Sequence, residues 1–358
     1  MQRGGRYTVL RKRGGALAAI AMAGVLALSA CGGGGEDSGA GSGGDGALKI
    51  GLAYDIGGRG DQSFNDSAAR GLDKAKQEFG IEATELEASQ GETDAQKEDR
   101  LRQLAEGGYN PIIAVGFAYA GPLGKVAKDY PDVKFAIIDD YTPGTDDGPN
   151  IANLTFAEEQ GSFLVGVAAA LKSKTGNVGF VGGVNTPLIQ KFQAGYEAGV
   201  KAVKPDATVQ VKYLTQPPDF SGFNDPAKGE TAANGMLDAG ADVVYAAAGG
   251  SGSGVFRAAK DKGAMGIGVD SDQYNLPSLA DVKDVIITSM VKSVDVAVYD
   301  FIKSVNDNAF KAGNKIYDLE VGGVKYATSG GKIDDIQPRL EEYKQKIISG
   351  EIKVPSTT

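Results

Sequence analysis

Three short polar clusters in this sequence each follow directly on an apolar run, and their residue types suit the binding of a small polar ligand. The first spans residues 55–65, the second is the glycine-serine run at 249–254, and the third spans 268–273. Ligands of parallel α/β sheets bind at the carboxyl ends of the strands. If the apolar runs are strands, the three clusters lie where such a ligand would be held.

The first cluster combines a flexible loop with an aromatic residue. Its glycines at 57, 58 and 60 allow a tight loop with positive φ, and Asp61 or Ser63 can cap the helix that follows. Phe64 lies in the first turn of that helix, outside the apolar stripe. It is therefore either a local packing residue or a platform for a flat ligand.

The other two clusters offer backbone amides and a carboxylate. The run around Gly250 resembles a dinucleotide fingerprint, but no G-x-G-x-x-G and no Walker lysine are present. Its bare amides at a helix start suit a polar ligand group, and the alternative is a plain strand-to-helix turn. Asp270 ends an apolar run, where a carboxylate can accept hydrogen bonds from a sugar diol; the alternative is a solvated turn residue.

Composition excludes several kinds of chemistry. The chain has no histidine and a single cysteine, Cys31, which removes His-based acid–base catalysis, Ser-His-Asp and Cys-His sites, and zinc sites built on His or Cys. We expect no metal and no cofactor. The formal net charge of −9 disfavours nucleic-acid binding, which needs clustered Lys and Arg.

One enzyme class stays open as a distant alternative. Ser289 and Lys292 match S-x-x-K, and residues 174–176 match K-T-G, as in serine β-lactamases and penicillin-binding enzymes. The two elements occur in reversed order, S-D-N is absent, and Ser289 ends a strand pattern where that class needs a helix start. We therefore expect a protein that is not an enzyme.

The amino terminus has the pattern of an export signal. A basic segment precedes an apolar run at 16–28, which is shorter than the ~20 residues of a membrane span. The tetrapeptide at 28–31 resembles a lipobox, so residues 1–30 are predicted as a signal peptide and Cys31 as the lipidation site. The alternative is an ordinary signal peptide with a chance cysteine. Residues 31–46 are glycine-rich and predict a flexible tether.

The rest of the chain alternates strand and helix patterns. Apolar runs at 49–54, 111–116, 133–138, 177–181, 208–214, 242–247 and 266–269 predict strands. Helical periodicity separates them, for example at 67–79, 158–172, 188–203, 230–239 and 254–262. Strands this apolar, alternating with helices, are typical of parallel sheets covered on both faces. We therefore predict an α/β protein with two doubly wound lobes.

Seven segments together resemble one protein family. They lie at 61–65, 115–117, 166–171, 179–183, 248–256, 268–273 and 288–292. In this order they are similar to the basic membrane protein family of ABC substrate-binding lipoproteins, which includes purine nucleoside receptors. The resemblance implies a type I periplasmic-binding-protein fold with a ligand cleft between the lobes and three crossovers. The implied lobes are 47–156 plus about 290–312, and 157–289 plus about 313–358.

The resemblance also implies roles for particular residues. In such receptors the base stacks between two aromatic rings, which match Phe64 and Phe223. Because Gly222 is inserted beside Phe223, Phe220 is a competing candidate. Asp55 matches an acid at the base edge. The expected ribose contacts are Asp270, Lys292 and the backbone around Gly250, and the matching motifs add Asn65 and Phe117.

These implications combine into one expected function. The chain should be a receptor on the extracytoplasmic face of the cell membrane, attached through lipid only, that delivers a nucleoside to ABC permease and ATPase subunits. A sugar or signal-molecule receptor of the same fold, acting with a sensor kinase, is the alternative, because one fold hosts many functions.

Overall fold

The protein alternates strands and helices along the chain, which confirms the α/β prediction. The structure is a computed structural model that describes residues 48–140 and 148–358. The predicted signal peptide, the lipidation site Cys31 and the tether lie outside the described residues.

The described strands are β1 (Lys49–Ala53), β2 (Glu82–Leu86), β3 (Ile112–Val115), β4 (Phe135–Ile138), β5 (Ile151–Phe156), β6 (Asn177–Val184), β7 (Thr208–Thr215), β8 (Val243–Ala247), β9 (Met265–Asp270), β10 (Ile286–Lys292), β11 (Gly313–Tyr317) and β12 (Val324–Tyr326).

Helices connect these strands and cover both faces of the sheets. The described α-helices are α1 (Phe64–Phe79), α2 (Asp94–Glu106), α3 (Ala120–Asp129), α4 (Glu158–Lys172), α5 (Pro187–Val203), α6 (Pro226–Asp238), α7 (Gly252–Lys262), α8 (Val294–Asn306) and α9 (Gln337–Ile348). The pairs α1–α8 and α2–α3 pack together in the first lobe, while α4–α5 and α6–α7 pack together in the second.

The described strands form two six-stranded sheets with corresponding strand orders. The first has the order β11-β5-β4-β3-β1-β2, and the second has the order β12-β10-β9-β8-β6-β7. The pairs are parallel except that β12 runs antiparallel to β10. Because parallel strands end at one edge, the loops after β1, β3 and β4 meet at one edge of the first sheet. The loops after β6, β8 and β9 meet at the matching edge of the second.

Burial explains why the central strands form where the sequence predicts them. Every residue of β3, β4 and β8 is buried, as expected for strands that helices cover on both faces. One apolar cluster packs α2 and α3 against the first sheet, and another packs α6 and α7 against the second. The largest cluster lies on the opposite faces and continues through both lobes.

The chain crosses between the sheets at three places, and two of them differ from the predicted boundaries. The first crossing is at Ala157, between β5 and α4. The second follows Lys292, because β10 pairs along its length with β9 and β12 of the second sheet. The third follows Tyr317, because β11 pairs with β5 of the first sheet. The boundaries predicted at about 290 and 312 are therefore corrected to 292 and 317.

Candidate functional site

The facing edges of the two sheets border a cleft whose empty space, including the part open to solvent, amounts to about 570 Å³. It is lined by loops that follow strands of both sheets and by the first turns of α1 and α5. The described residues that line it are Asp55, Ile56, Asp61, Phe64, Asn65, Gly116, Phe117, Asp139, Leu188, Ile189, Phe192, Phe223, Ala247, Gly249, Val269, Asp270 and Lys292. Of the predicted ligand-binding residues, only Gly250 is missing from this lining.

The loop after β1 is shaped by its glycines and by Asp61. Gly57, Gly58 and Gly60 have φ values of 99°, 53° and 102°, which confirms the expectation of positive φ in this loop. The Asp61 carboxylate accepts hydrogen bonds from the backbone N–H groups of Ser63, Asn65 and Asp66. Asp61 therefore caps α1, and the helix begins at Phe64, earlier than the predicted residue 67.

Asn65 lines the cleft but its side chain is largely used within the loop. Its Nδ2 donates to the Ile56 carbonyl at 3.2 Å and to Asp61 Oδ2 at 3.1 Å. Its Oδ1 accepts from the Asp55 backbone N–H at 3.1 Å. Both N–H donors are thus occupied, and what Asn65 could offer a ligand is the remaining lone pair on Oδ1.

Asp55 presents one carboxylate oxygen toward the cleft. Its Oδ1 accepts from the Ile56 backbone N–H at 2.8 Å, and its Oδ2 lies beside Gly116. Gly116 has φ of 105°, and a Cβ there would lie 2.7 Å from Asp55 Oδ2, so this position requires glycine. Burial raises the pKa of Asp55 to about 6, against the hydrogen bond from Ile56. This carboxyl can change protonation state near neutral pH.

Phe64 and Phe223 are half-buried rings that line the cleft from different lobes. The turn that carries Phe223 approaches β6 closely, because Gly222 and Gly183 have no side chains. A Cβ on Gly222 would lie 2.1 Å from the Gly183 carbonyl oxygen, and a Cβ on Gly183 would lie 2.4 Å from Cδ1 of Phe223. The glycine inserted at 222 therefore lets Phe223 reach the cleft.

Phe220, the competing candidate, is outside the lining. Its ring packs edge-on against the ring of Phe117, with the centroids 5.8 Å apart. Phe117 lines the cleft from the first lobe, whereas Phe220 belongs to the loop after β7. The two rings therefore form a contact between the lobes beside the cleft.

Lys292 is the centre of a buried charge cluster. Its Nζ lies 2.5 Å from Asp139 Oδ2 and 3.1 Å from Glu158 Oε1, and the residue is 1% exposed. The ammonium also lies 5.1 Å from the centroid of the Phe64 ring and 5.6 Å from that of Phe192. Burial alone would lower the pKa of Lys292, but the surrounding carboxylates outweigh it and raise that pKa. The lysine is therefore a cation whose charge is already balanced by protein.

Asp270 ends β9 and is bonded to the other lobe. Its Oδ2 accepts a hydrogen bond from the Ser63 hydroxyl at 2.5 Å, and the residue is 6% exposed. Burial raises the pKa of Asp270, and the Lys292 charge opposes this. Ser63, predicted as a possible cap for α1, makes no side-chain cap bond. Its hydroxyl is directed to Asp270 instead.

Gly250 lies next to the cleft rather than in its lining. A Cβ on Gly250 would lie 3.3 Å from Asn224 Oδ1 and 3.4 Å from the Asp61 carbonyl oxygen. The adjacent Gly249, with φ of 55°, is the glycine of this turn that lines the cleft. The expected ligand contact with the backbone around Gly250 therefore stays a prediction, with Gly249 as the part of that backbone that lines the cleft.

Several lining residues were missed from the sequence. Asp139 follows β4, and burial raises its pKa while Lys292 opposes the change. It could have been found by the same signal as Asp270, an acid directly after an apolar strand. Leu188, Ile189 and Phe192 give the cleft an apolar wall from the first turns of α5. They carry no polar signal and look like ordinary core residues in the sequence.

The arrangement contradicts the serine-hydrolase alternative. Ser289 and Lys292 both lie in β10, three positions apart, so their side chains point to opposite faces of the strand. The Ser289 hydroxyl accepts from the Gln273 backbone N–H at 3.2 Å, while the Lys292 ammonium pairs with Asp139. An S-x-x-K site needs both groups on one turn of a helix, which the strand cannot supply.

Comparison with known proteins finds one matching family and relatives that are similar over most of this chain. Residues 47–358 match the family described as ABC transporter substrate-binding protein PnrA-like. The "CD4+ T-cell-stimulating antigen" of Listeria innocua serovar 6a is 38% identical, over 95% of this chain and 97% of its own length. The "ABC transporter nucleoside-binding protein BmpA" of Lactococcus lactis subsp. cremoris is 34% identical, over 97% of this chain and 100% of its own.

Solved structures support the same fold. The ABC transporter system solute-binding protein of Aeropyrum pernix K1 aligns with a TM-score of 0.75 and 32% identity, over 86% of this chain and 94% of that chain. This confirms the predicted type I periplasmic-binding-protein fold. Within the described residues, no helix is long and apolar enough to span a membrane.

Proposed function

This chain belongs to the PnrA-like, or basic membrane protein, family of ABC transporter substrate-binding proteins, and we propose that it is a lipid-anchored purine nucleoside receptor. It would bind the nucleoside on the extracytoplasmic face of the cell membrane and deliver it to ABC permease and ATPase subunits. The protein itself would perform no catalysis. The observation that carries the ligand class is a cleft with Phe64 and Phe223 from different lobes and several buried carboxyl groups.

The aromatic residues suit the base of such a ligand. A purine placed between Phe64 and Phe223 would bury both of its faces, and stacking adds about 0.5–1.5 kcal/mol to the burial of apolar area. Asp55 Oδ2 would then accept hydrogen bonds from the edge of the base. The name of the Lactococcus lactis relative, a nucleoside-binding protein, agrees with this assignment.

The carboxylates suit the ribose. Asp270 and Asp139 are buried acceptors, and Asp139 Oδ1 is a buried oxygen with no hydrogen-bond partner among the described residues. Hydroxyl groups of a neutral sugar can satisfy such oxygens without adding negative charge. Hydrogen bonds to a charged group contribute about 1.5–3 kcal/mol each, so the diol would supply much of the affinity.

Calorimetry on the mature chain tests this assignment with a crossed comparison. We expect Asp270→Ala to weaken nucleoside binding by roughly ten- to a hundredfold, equivalent to about 1.5–3 kcal/mol. A free nucleobase should bind the wild-type protein more weakly than the nucleoside, and should be almost indifferent to Asp270→Ala. Phe64→Ala should reduce the affinity for both ligands.

Phe220→Ala is the matched aromatic control, because Phe220 is half-buried but outside the lining. It should cost less affinity than Phe64→Ala. If adenosine, guanosine and inosine all fail to bind at millimolar concentration while a free sugar binds tightly, a sugar receptor replaces the nucleoside receptor. Mass spectrometry of a small molecule that co-purifies with the mature protein would identify the ligand directly.

The lipid anchor is proposed from the sequence, because Cys31 lies outside the described residues. Cys31 is the single cysteine of the chain, so no other thiol can carry the acyl chains. We expect Cys31→Ser to move the protein from the membrane to the soluble fraction. A variant that stays on the membrane after a carbonate wash would show that another attachment exists.

A further inference from the structure

The two lobes also touch through hydrogen bonds that do not require a ligand. Gln273 Nε2 donates to the Gln62 carbonyl at 2.7 Å, and Ser271 Oγ donates to the Ser63 carbonyl at 3.1 Å. In the reverse direction, Ser63 Oγ donates to Asp270. We call these five residues, Gln62, Ser63, Asp270, Ser271 and Gln273, the clasp. Of the five, only Asp270 lines the ligand cleft.

Bonds within the second lobe hold the Nε2 donor group of Gln273 in position. The residue is 1% exposed, and its Oε1 accepts from the Val269 backbone N–H at 3.0 Å. Its own backbone N–H donates to Ser289 Oγ. These bonds lie within the second lobe, so they persist when the lobes separate. They leave the Nε2 group with a fixed direction toward the first lobe.

On the first lobe, the acceptors are also fixed. Gln62 has φ of 60°, a left-handed conformation that is rare for residues with a side chain. The flanking Asp61 and Asp66 carboxylates hold this turn, because Asp66 Oδ2 accepts from the Gln62 backbone N–H at 3.0 Å. The turn presents the carbonyl groups of Gln62 and Ser63 in succession to the second lobe.

From this geometry we propose that the clasp closes a fraction of the ligand-free molecules, and that Gln273 is a positioning residue for closure. The donors of the second lobe and the carbonyl acceptors of the first lobe are each held by bonds within their own lobe. Little side-chain or backbone entropy is therefore lost when they meet. A ligand that binds the closed state gains apparent affinity in proportion to the fraction already closed. Through Gln273 and Ser271, which lie outside the cleft lining, the clasp would therefore influence affinity and residence time. The consequence for affinity rests on the proposed function, whereas the closure of the ligand-free protein does not.

Two variants separate the clasp from the fold of the second lobe. Gln273→Glu keeps an oxygen for the Val269 N–H but replaces the donor with a carboxylate facing the Gln62 carbonyl. Ser271→Ala removes the other donor of the second lobe, together with the hydroxyl that accepts from Arg70 Nη2 of the first lobe. Asn275→Ala is the matched control, because Asn275 donates to Asp272 and Ser329 within the second lobe. Circular dichroism verifies that each variant is folded.

Distance measurement between spin labels reads out closure without any ligand. Ser89→Cys and Gln216→Cys place labels at exposed positions beyond the ends of β2 and β7, in a Cys31→Ser background. We expect a closed population in the wild type and in Asn275→Ala. Its ratio to the open population should fall about three- to tenfold in Gln273→Glu and in Ser271→Ala.

Guanosine dissociation, followed by stopped flow, should accelerate by a similar factor in Gln273→Glu and not in Asn275→Ala. A wild type that is fully open without ligand, or distance distributions that are the same in all four proteins, would overturn the proposal. The failure of every nucleoside to bind would refute the proposed function instead, since the ligand-free distances decide the clasp by themselves.

Discussion

Asp139 and Asp270 occupy equivalent positions in the two sheets. Asp139 follows β4, the third strand of its sheet counted from β11, and Asp270 ends β9, the third strand counted from β12. Both have left-handed φ values, 72° and 62°, which are uncommon for residues with a side chain. Strained positions of this kind concentrate at functional sites, where the surrounding structure maintains them.

Each of these carboxylates is bonded to the opposite lobe. Asp139 of the first lobe accepts from Lys292 of the second, and Asp270 of the second lobe accepts from Ser63 of the first, both at 2.5 Å. The two acids that we propose as ribose contacts therefore each form a bond between the lobes, which opening of the cleft would break. Ligand binding and closure share the same pair of residues.

The first prediction concerns Lys292, whose removal would leave Asp139 buried without its cation, whereas Glu158 would keep its pair with Lys191 at 2.7 Å. Breaking a buried ion pair by removing one partner costs about 3–5 kcal/mol, so we expect Lys292→Met to lower the free energy of unfolding by this amount at neutral pH. Burial already raises the pKa of Asp139, and loss of the lysine would raise it further. Protonation of the carboxyl relieves the unpaired charge, so the destabilisation should shrink as the pH falls.

Urea unfolding at pH 8 and pH 5 measures this difference. The double variant Lys292→Met with Asp139→Asn is the control, and it should recover part of the stability at pH 8 because one unpaired charge is gone. An equal loss at both pH values in the single variant would mean that lost packing against Phe64 and Phe192, and not charge, explains the effect.

The central strands could be predicted from sequence because burial on both faces makes them uniformly apolar. Strand β3 is an example, with all four residues buried. Strand β2 was missed, because it lies at the edge of its sheet and carries Glu82 and Glu85. None of its five side chains is buried, so its sequence resembles a polar loop. Position in the sheet does not account for every strand, because the edge strand β7 was predicted whereas the buried interior strand β5 was missed.

The site could be predicted as residue types but not as bonding partners. Phe64, Phe223 and Asp270 do line the cleft. The sequence could not show that the amide of Asn65 is used by its own loop, or that the Ser63 hydroxyl bonds to a residue 207 positions away. Local patterns identify which groups stand at a strand end, whereas hydrogen bonding depends on how the two lobes meet.

The second prediction concerns Gly183, on which the ring of Phe223 rests. A methyl group there would lie 2.4 Å from Phe223 Cδ1. The Gly222 carbonyl oxygen, 3.2 Å from the same methyl position, leaves the methyl group little room to move aside. The ring must leave its present position at the cleft, so we expect Gly183→Ala to weaken nucleoside binding by at least about tenfold, or 1.4 kcal/mol. Gly235→Ala, at a position with open space, is the matched control and should bind normally. Normal calorimetric affinity in Gly183→Ala would remove Phe223 from the proposed stack.

The third prediction is that the cleft rejects anionic ligands. Its described lining contains four aspartates, and the only cation among those residues, Lys292, is already paired with Asp139 and Glu158. A phosphate group would add negative charge in a poorly solvated site. At an effective dielectric constant near 20, two unit negative charges about 8 Å apart repel each other by about 2 kcal/mol. We expect guanosine 5′-monophosphate to bind at least about tenfold more weakly than guanosine in a competition assay.

Asp270→Asn tests the electrostatic cause of that discrimination. Removing one negative charge should narrow the ratio between the nucleoside and nucleotide affinities, even though both affinities fall. If the ratio stays unchanged, or if the monophosphate binds as tightly as guanosine, charge repulsion does not control selectivity in this cleft.

The last prediction concerns the pH dependence of base recognition by Asp55. Burial raises the pKa of this carboxyl to about 6, so it is ionised at pH 7 and protonated at pH 5. Guanine offers N–H donors at its edge and needs the carboxylate. We therefore expect guanosine affinity to fall about tenfold between pH 7 and pH 5. Adenine offers an acceptor nitrogen beside its amino group and pairs better with the protonated acid, so adenosine affinity should hold or rise.

Calorimetry of both nucleosides across this pH range measures the ratio of the two affinities. Asp55→Asn is the control, because an amide does not titrate and can donate and accept at every pH. In that variant the guanosine-to-adenosine ratio should stay constant, even though Asp61, Asp139 and Asp270, whose pKa values are also raised, still titrate. A ratio that changes with pH equally in the wild type and in Asp55→Asn would assign the effect to those other carboxyl groups and remove Asp55 from the base edge.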